Sequence, residues 1–138
     1  MLKDQPVVAI VGSKIDEMEK IHNQLGRTAC RVWRMTSGND FLNLARVEKV
    51  DVVIMDYFLM DMKVPVSIKK IKDIDHNIRI IIMTEKPSEH IERSARKQGI
   101  SFFAIKPNDL QYIRDAVRTA VLSRQRQNFV FNRQPKVA

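Results

Sequence analysis

Four short apolar runs in this chain each stop at a group that could do chemistry. Val7–Val11 gives way to Gly12-Ser13-Lys14, Val52–Met55 to Asp56, Ile80–Met83 to Thr84, and Phe102–Ile105 to Lys106-Pro107. A carboxylate can act as nucleophile or charge partner, a hydroxyl donates a hydrogen bond, and an ammonium stabilises an anion. Taken singly, each is simply what a strand must end in. Asp56 has two plain readings, a solvent-facing strand terminator or a permanent ion pair with Lys106 and Lys14, and such pairs by themselves are weak grounds for function. Carboxylate, hydroxyl and ammonium gathered at one rim are harder to explain that way.

The elements that must position these groups follow from two alternating sequence periods. The four runs are nearly continuous and rich in β-branched or aromatic residues, as in strands buried on both faces of a parallel sheet. A fifth run, Ala29–Arg34, mixes apolar residues with arginines and reads as an edge strand. Between the runs lie helical stripes: Ile15, Met18, Ile21 and Leu25; Phe41, Leu44 and Ala45; Val64, Ile68 and Ile71; a thin Ile91 and Ala95; and Leu110, Ile113, Val117, Ala120 and Val121. Gly26, Ser37-Gly38-Asn39, Pro87-Ser88, Gly99 and Pro107-Asn108 punctuate them, with Ser88 placed to cap the fourth helix and Gly99 to end it. Alternating strands and helices predict an α/β three-layer sandwich, a doubly wound five-stranded parallel sheet with right-handed crossovers. A ligand site in such a sheet lies beyond the carboxyl ends of the strands.

With Asp56, Thr84 and Phe103-Ala104-Ile105-Lys106-Pro107 at those ends, and with their spacing, the sequence resembles the receiver domain of two-component response regulators over about residues 5–124. The resemblance implies a flavodoxin-like fold with strand order 2-1-3-4-5. It also implies that Asp56 accepts a phosphoryl group from a phosphohistidine of a partner kinase, and that Thr84 bonds the phosphoryl oxygens. Lys106 would pair with aspartate and phosphoryl, Lys106-Pro107 would be a cis peptide, and Phe103 would be the aromatic switch that turns inward as Thr84 moves.

The departures matter as much. Receivers that use Mg²⁺ carry two adjacent acidic residues after the first strand, where this chain has Gly12 and Ser13 followed by Lys14. Mg²⁺ demands oxygen ligands in near-octahedral geometry, so no metal and no other cofactor is expected. Lys14 is expected to supply a fixed positive charge beside Asp56 in the metal's place. Asp16 or Glu17 could substitute in part, against which stands their position at the start of a helix. Glu85 follows Thr84 where the family keeps a small residue, and Phe58 is large where a polar residue is common; both are expected to restrict access to Asp56. Leu59-Met60 and Val64 replace the family's Met-Pro and later Gly, so the loop after the acceptor strand should differ in shape.

Composition bounds the rest. The chain has 138 residues with 44% hydrophobic and 29% charged, enough for one domain with its own core. No run approaches the ~18 apolar residues of a membrane span. The start lacks a signal peptide's apolar region, and Cys30 is the sole cysteine, so a cytoplasmic location is expected. The three histidines have no ligand spacing. No nucleophile–base pair or glycine-rich phosphate loop points to a small-molecule enzyme, and the chemistry expected is at most self-phosphorylation and autodephosphorylation at Asp56.

Of the net charge of +8, +5 lies in residues 101–138, from Lys106, Arg114, Arg118, Arg124, Arg126, Arg133 and Lys136 against Asp109 and Asp115. The expected organisation is a receiver-like domain over 1–124 and a basic tail or linker over 125–138, with order fraying beyond about Gln127 as the apolar stripe fades near Leu122.

The leading reading is a signalling module with a degenerate Mg²⁺ site. It would act on a protein partner, a sensor histidine kinase or an output protein, or on a second copy in a homodimer through the fourth and fifth helix face. The alternative is an ordinary Mg²⁺-dependent phosphoacceptor. A third, a basic adaptor for nucleic acid or an anionic surface, rests only on the charged end, and nucleic acid is disfavoured because no recognition motif follows.

Overall fold

The computed structural model describes residues 5–26 and 30–133, with side chains through residue 126. Its elements run β1 (Val7–Val11), α1 (Ile15–Leu25), β2 (Arg31–Met35), α2 (Gly38–Val47), β3 (Val52–Asp56), α3 (Val64–Ile74), β4 (Arg79–Thr84), α4 (Glu89–Lys97), β5 (Phe102–Ile105), a 3-10 turn (Asn108–Tyr112) and α5 (Ile113–Arg133). The strands are all parallel, in the order β2-β1-β3-β4-β5.

Alternation along the strands builds a core on each face of the sheet. Val8, Ile10, Val52, Ile54, Ile81, Met83 and Ala104 meet Met18, Ile21 and Leu25 of α1 and Ile113, Val117 and Ala120 of α5. Val7, Ala9, Val11, Val53, Met55, Ile80, Ile82 and Phe103 meet α2, α3 and α4. The edge strand starts two residues later than its sequence pattern placed it and ends one residue later, at Met35. It begins at Arg31, paired with Val7, and Ala29 lies outside the described residues. In α2 the buried leucine is Leu42, and Leu44 packs only partly.

Ser88 accepts from the Ile91 N–H at the start of α4, and Gly99 (φ 87°) ends that helix in the left-handed region that glycine tolerates. Ala95 is the only buried residue of α4. Lys72 of α3 steadies its far end, with Nζ donating to the Gln98 carbonyl at 2.6 Å and the Gly99 carbonyl at 3.0 Å.

The last helix outruns its apolar stripe and continues to Arg133, past the expected fraying point; residues 134–138 lie outside the described residues. The spacing Ile113, Val117, Ala120 continues to Arg124, which is 4% exposed. Its Nη2 donates to Asp75 Oδ2 at 2.9 Å and its Nη1 to the Val50 carbonyl at 3.3 Å, while Nε lies 3.2 Å from Asp51 Oδ1 without hydrogen-bond geometry. A buried anchor thus replaces the apolar stripe. A residue counted with the basic end is spent inside the fold, joining α5 to the loops that precede β3 and β4.

Candidate functional site

The carboxyl ends of the strands bring the expected residues together. Asp56 ends β3 and is 5% exposed, Thr84 ends β4 and is buried, and Lys106 follows β5 and is 8% exposed. Lys106 Nζ donates to Asp56 Oδ1 at 2.6 Å. The Lys106–Pro107 peptide is cis. Two backbone N–H groups hold this turn: that of Lys106 donates to the Thr84 carbonyl at 2.8 Å, and that of Ile105 to the Asp109 carboxylate Oδ2 at 2.8 Å. Thr84 Oγ1 accepts from the Lys86 N–H at 3.1 Å, so the hydroxyl caps its own loop.

The second carboxylate at the site is Glu17, whose Oε1 accepts from Lys106 Nζ at 2.8 Å. Its place at the start of α1, which counted against it, is what brings it in. Helical side chains lean toward the helix N-terminus, and the N-terminus of α1 opens on the rim. Burial pulls the Lys106 ammonium down, but hydrogen bonds and charge from Asp56 and Glu17 outweigh it, and its pKa is raised above the ordinary lysine value.

Lys14 makes no ion pair with Asp56 among the described residues. Its Nζ binds Glu85 Oε1 at 2.9 Å and Oε2 at 3.0 Å. Asp56 is neutralised from within by Lys106, and the half-exposed Lys14 takes the carboxylate on the neighbouring loop. The hydrogen bond from Lys14, then its charge, lowers the Glu85 pKa. Because β3 lies between β1 and β4, this bridge joins the two loops that flank Asp56.

Gly12 lies close against the acceptor: a Cβ there would come 2.8 Å from Asp56 Oδ2, so a side chain at that position would require the Asp56 carboxylate to shift. Among the described residues Oδ2 has no hydrogen-bond partner, and Ser13 is exposed. Nor does any group of three or more His, Cys, Asp or Glu among the described residues stand ready to hold a metal.

The loop after β3 does take its own shape. Phe58 pairs with Lys63 in an isolated antiparallel bridge, and its ring, 55% exposed, meets Tyr57 edge-on at 4.9 Å. Asp61 then caps α2, accepting from the Gly38 N–H at 3.0 Å, the Asn39 N–H at 2.9 Å and the Ser37 hydroxyl at 2.9 Å. Burial raises the Asp61 carboxyl, yet these donors prevail and lower it. Met62 packs against Gly38, where a Cβ would meet its sulfur at 2.7 Å. Phe103 is buried among Ile82, Ala95 and their neighbours.

A family model for the response regulator receiver domain matches residues 8–118, and the chain belongs to that family. It is 31% identical over 88 residues to sporulation initiation phosphotransferase F of Bacillus subtilis, covering 64% of this chain and 71% of that protein. To protein PilH of Pseudomonas aeruginosa it is 31% identical over 104 residues, covering 74% and 86%. A CheY-like receiver domain protein of Methanospirillum hungatei superposes with a TM-score of 0.82 over 90% of this chain and 99% of that one, at 14% identity, a likeness of fold. The chain is therefore a receiver domain of two-component signalling, a class that works through contacts with proteins such as kinases. No helix among the described residues is long and apolar enough to cross a membrane.

Proposed function

We propose that this receiver signals with a degenerate acceptor site, one that does not recruit Mg²⁺, and that it acts by presenting the α4–β5–α5 face to a protein partner. The observation that carries this reading is the shared ammonium. The two carboxylates at the rim both bond Lys106, and the positions that hold an acidic pair in Mg²⁺-using relatives are here Gly12, close against Asp56 Oδ2, and Ser13. A hard dication needs several free oxygen ligands, and this donor set does not fit it. Asp56 keeps the role of acceptor position, Thr84 and Lys106 that of its readers, and Phe103 that of the switch.

The presenting face is supported by a groove of about 780 Å³ lined by Arg96, Phe102, Tyr112, Ala116, Thr119 and Ser123. Thinly anchored α4 forms one wall, and such weakly held elements are the ones that move in switches.

The test is an amide NMR titration of the full chain with Mg²⁺ and then beryllofluoride. Resonances of Asp56, Thr84 and Phe103 stay in place if the site is degenerate. Shifts spreading from Asp56 to α5 at millimolar additions overturn the reading.

One observation favours a second reading, the ordinary Mg²⁺-dependent phosphoacceptor. Glu17 does bring a second carboxylate to Asp56, whose Oδ2 is unengaged within the described residues. On that reading Glu17→Ala abolishes Mg²⁺-dependent phosphate uptake.

A further inference from the structure

Forming an aspartyl phosphate adds a charge of about −2 beside the acceptor. A site that does so must supply positive charge at that point, and charged groups in a low-dielectric rim interact strongly. Here the cation within hydrogen-bonding reach of Asp56 is Lys106, since Lys14 is turned to Glu85. Lys106 already serves two carboxylates, at 2.6 Å and 2.8 Å, with side chains only 8% and 16% exposed. The three groups together carry a formal charge of −1 before any phosphoryl group arrives.

We infer that Glu17 is an intramolecular lock on the acceptor site: it holds the Lys106 ammonium and places a second negative charge where the phosphoryl group would go. This rests on the degenerate-site reading above and names what keeps that site closed. Glu17 stands in the first turn of α1, where the helix field favours a negative charge. Asp56 itself is not what is lacking. Its Oδ2 faces the bare Cα of Gly12 and has no donor on it among the described residues. The nucleophile has an oxygen with no donor on it, and the ammonium that would meet the phosphoryl group is already shared with Glu17. Glu17 is a positioning residue, acting through Lys106.

The reaction that reads the lock uses acetyl phosphate, a small acyl phosphate. An Asp56 carboxylate oxygen attacks the phosphorus, the bond from phosphorus to the acyl oxygen breaks, and acetate leaves with the electron pair. The full chain, Glu17→Gln and Glu17→Ala are incubated with acetyl phosphate, with and without Mg²⁺, and followed by intact mass. Glu17→Gln keeps the shape and removes the charge; Glu17→Ala removes both, and thermal melts establish that each is folded.

The expected result is a tenfold or greater rise in the initial rate of adduct formation in both variants, without need of Mg²⁺, and its loss when Asp56→Asn is added. A change of packing alone would leave the Lys106 ammonium as it was. The ¹H–¹⁵N resonance of that ammonium is therefore followed against pH, and in Glu17→Gln its titration falls below that of the wild type.

The lock is overturned if neither folded variant gains the adduct faster than wild type, or if the ammonium titration does not move. Loss of a wild-type, Mg²⁺-dependent adduct in Glu17→Gln overturns it too, by making Glu17 a metal ligand. The degenerate-site reading fails separately, when the wild type itself forms the adduct in a Mg²⁺-dependent way, whatever the variants do.

Discussion

A buried cation held between two carboxylates occurs at both ends of this sheet, and the two are wired differently. At the base, Arg124 meets Asp51 and Asp75, and each carboxylate also accepts from backbone: Asp51 Oδ2 from the Val7 N–H at 2.8 Å, Asp75 Oδ1 from the Asn77 N–H at 2.9 Å. The guanidinium adds the Val50 carbonyl, so one group on α5 ties down both loops that precede β3 and β4. At the rim, the carboxylates of Asp56 and Glu17 accept among the described residues only from Lys106. Arginine presents a fixed fork that suits several acceptors at once, and lysine a point charge that can change partners. The base is built to stay as it is, whereas the rim groups can be rearranged without breaking anything else.

The sharpest way to break this comparison is to remove the base cation. Arg124→Met leaves two partly buried carboxylates without their ion partner and frees the end of α5. It should cost about 3–5 kcal/mol of folding free energy, as breaking a buried pair does, measured by urea unfolding. A loss of the size usual for an exposed pair would mean that Arg124 is no anchor.

Asp75 carries the pH dependence of the same clasp. Burial raises its carboxyl, but the Arg124 hydrogen bond, the Asn77 N–H and the charges of Arg124 and Lys49 prevail, and its pKa is lowered from 3.8. A lowered folded pKa gives stability that is fully present above the unfolded value and lost as pH falls through the folded one. Asp75→Asn should therefore be less stable than wild type by about 1–2 kcal/mol near neutral pH. The gap should hold down to about pH 4 and close below it. A gap that persists in acid would assign the loss to packing.

The loop that joins the rim to α2 comes next in size. Asp61→Ala removes an N-terminal cap and should cost about 1 kcal/mol. Because the Asp61 carboxyl is also lowered, this difference too should vanish in acid. The loop's hold on α2 should show as faster amide exchange at Gly38 and Asn39.

What was legible in the sequence, and what was not, divides along similar lines. The strands could be read because each is a run of consecutive apolar residues, and Asp56, Thr84 and Lys106 because parallel strands deliver their ends to one rim. The contacts that depend on side-chain reach could not. Arg124 counted only as one of the charges of the basic end, since its partners lie 49 and 74 residues away, in loops with no period of their own. Glu17 and Lys14 were placed by position alone. The backward lean of helical side chains carries Glu17 in, and a carboxylate on the loop after β4 draws Lys14 off. Asp61 gave no signal, because Ser37-Gly38-Asn39 reads as an ordinary turn whether or not a distant carboxylate caps it.

The smallest effect tests the rim on stability rather than chemistry. With two carboxylates on one ammonium, removing the charge of Glu17 leaves Asp56 and Lys106 a one-to-one pair. Glu17→Gln should therefore lie within about 0.5 kcal/mol of wild type near neutral pH, in contrast to Asp75→Asn at the base. The difference should appear in alkali instead. The raised pKa of Lys106 gives stability that is fully present below its unfolded value of 10.5 and lost as pH rises through the folded one. In Glu17→Gln one of the two acceptors that raise it loses its charge, so less stability depends on the protonated amine. Urea midpoints taken from pH 9 upward should fall for both proteins, and less steeply for the variant. Parallel curves would mean that Asp56 alone holds Lys106, and that the rim carboxylates do not share their cation.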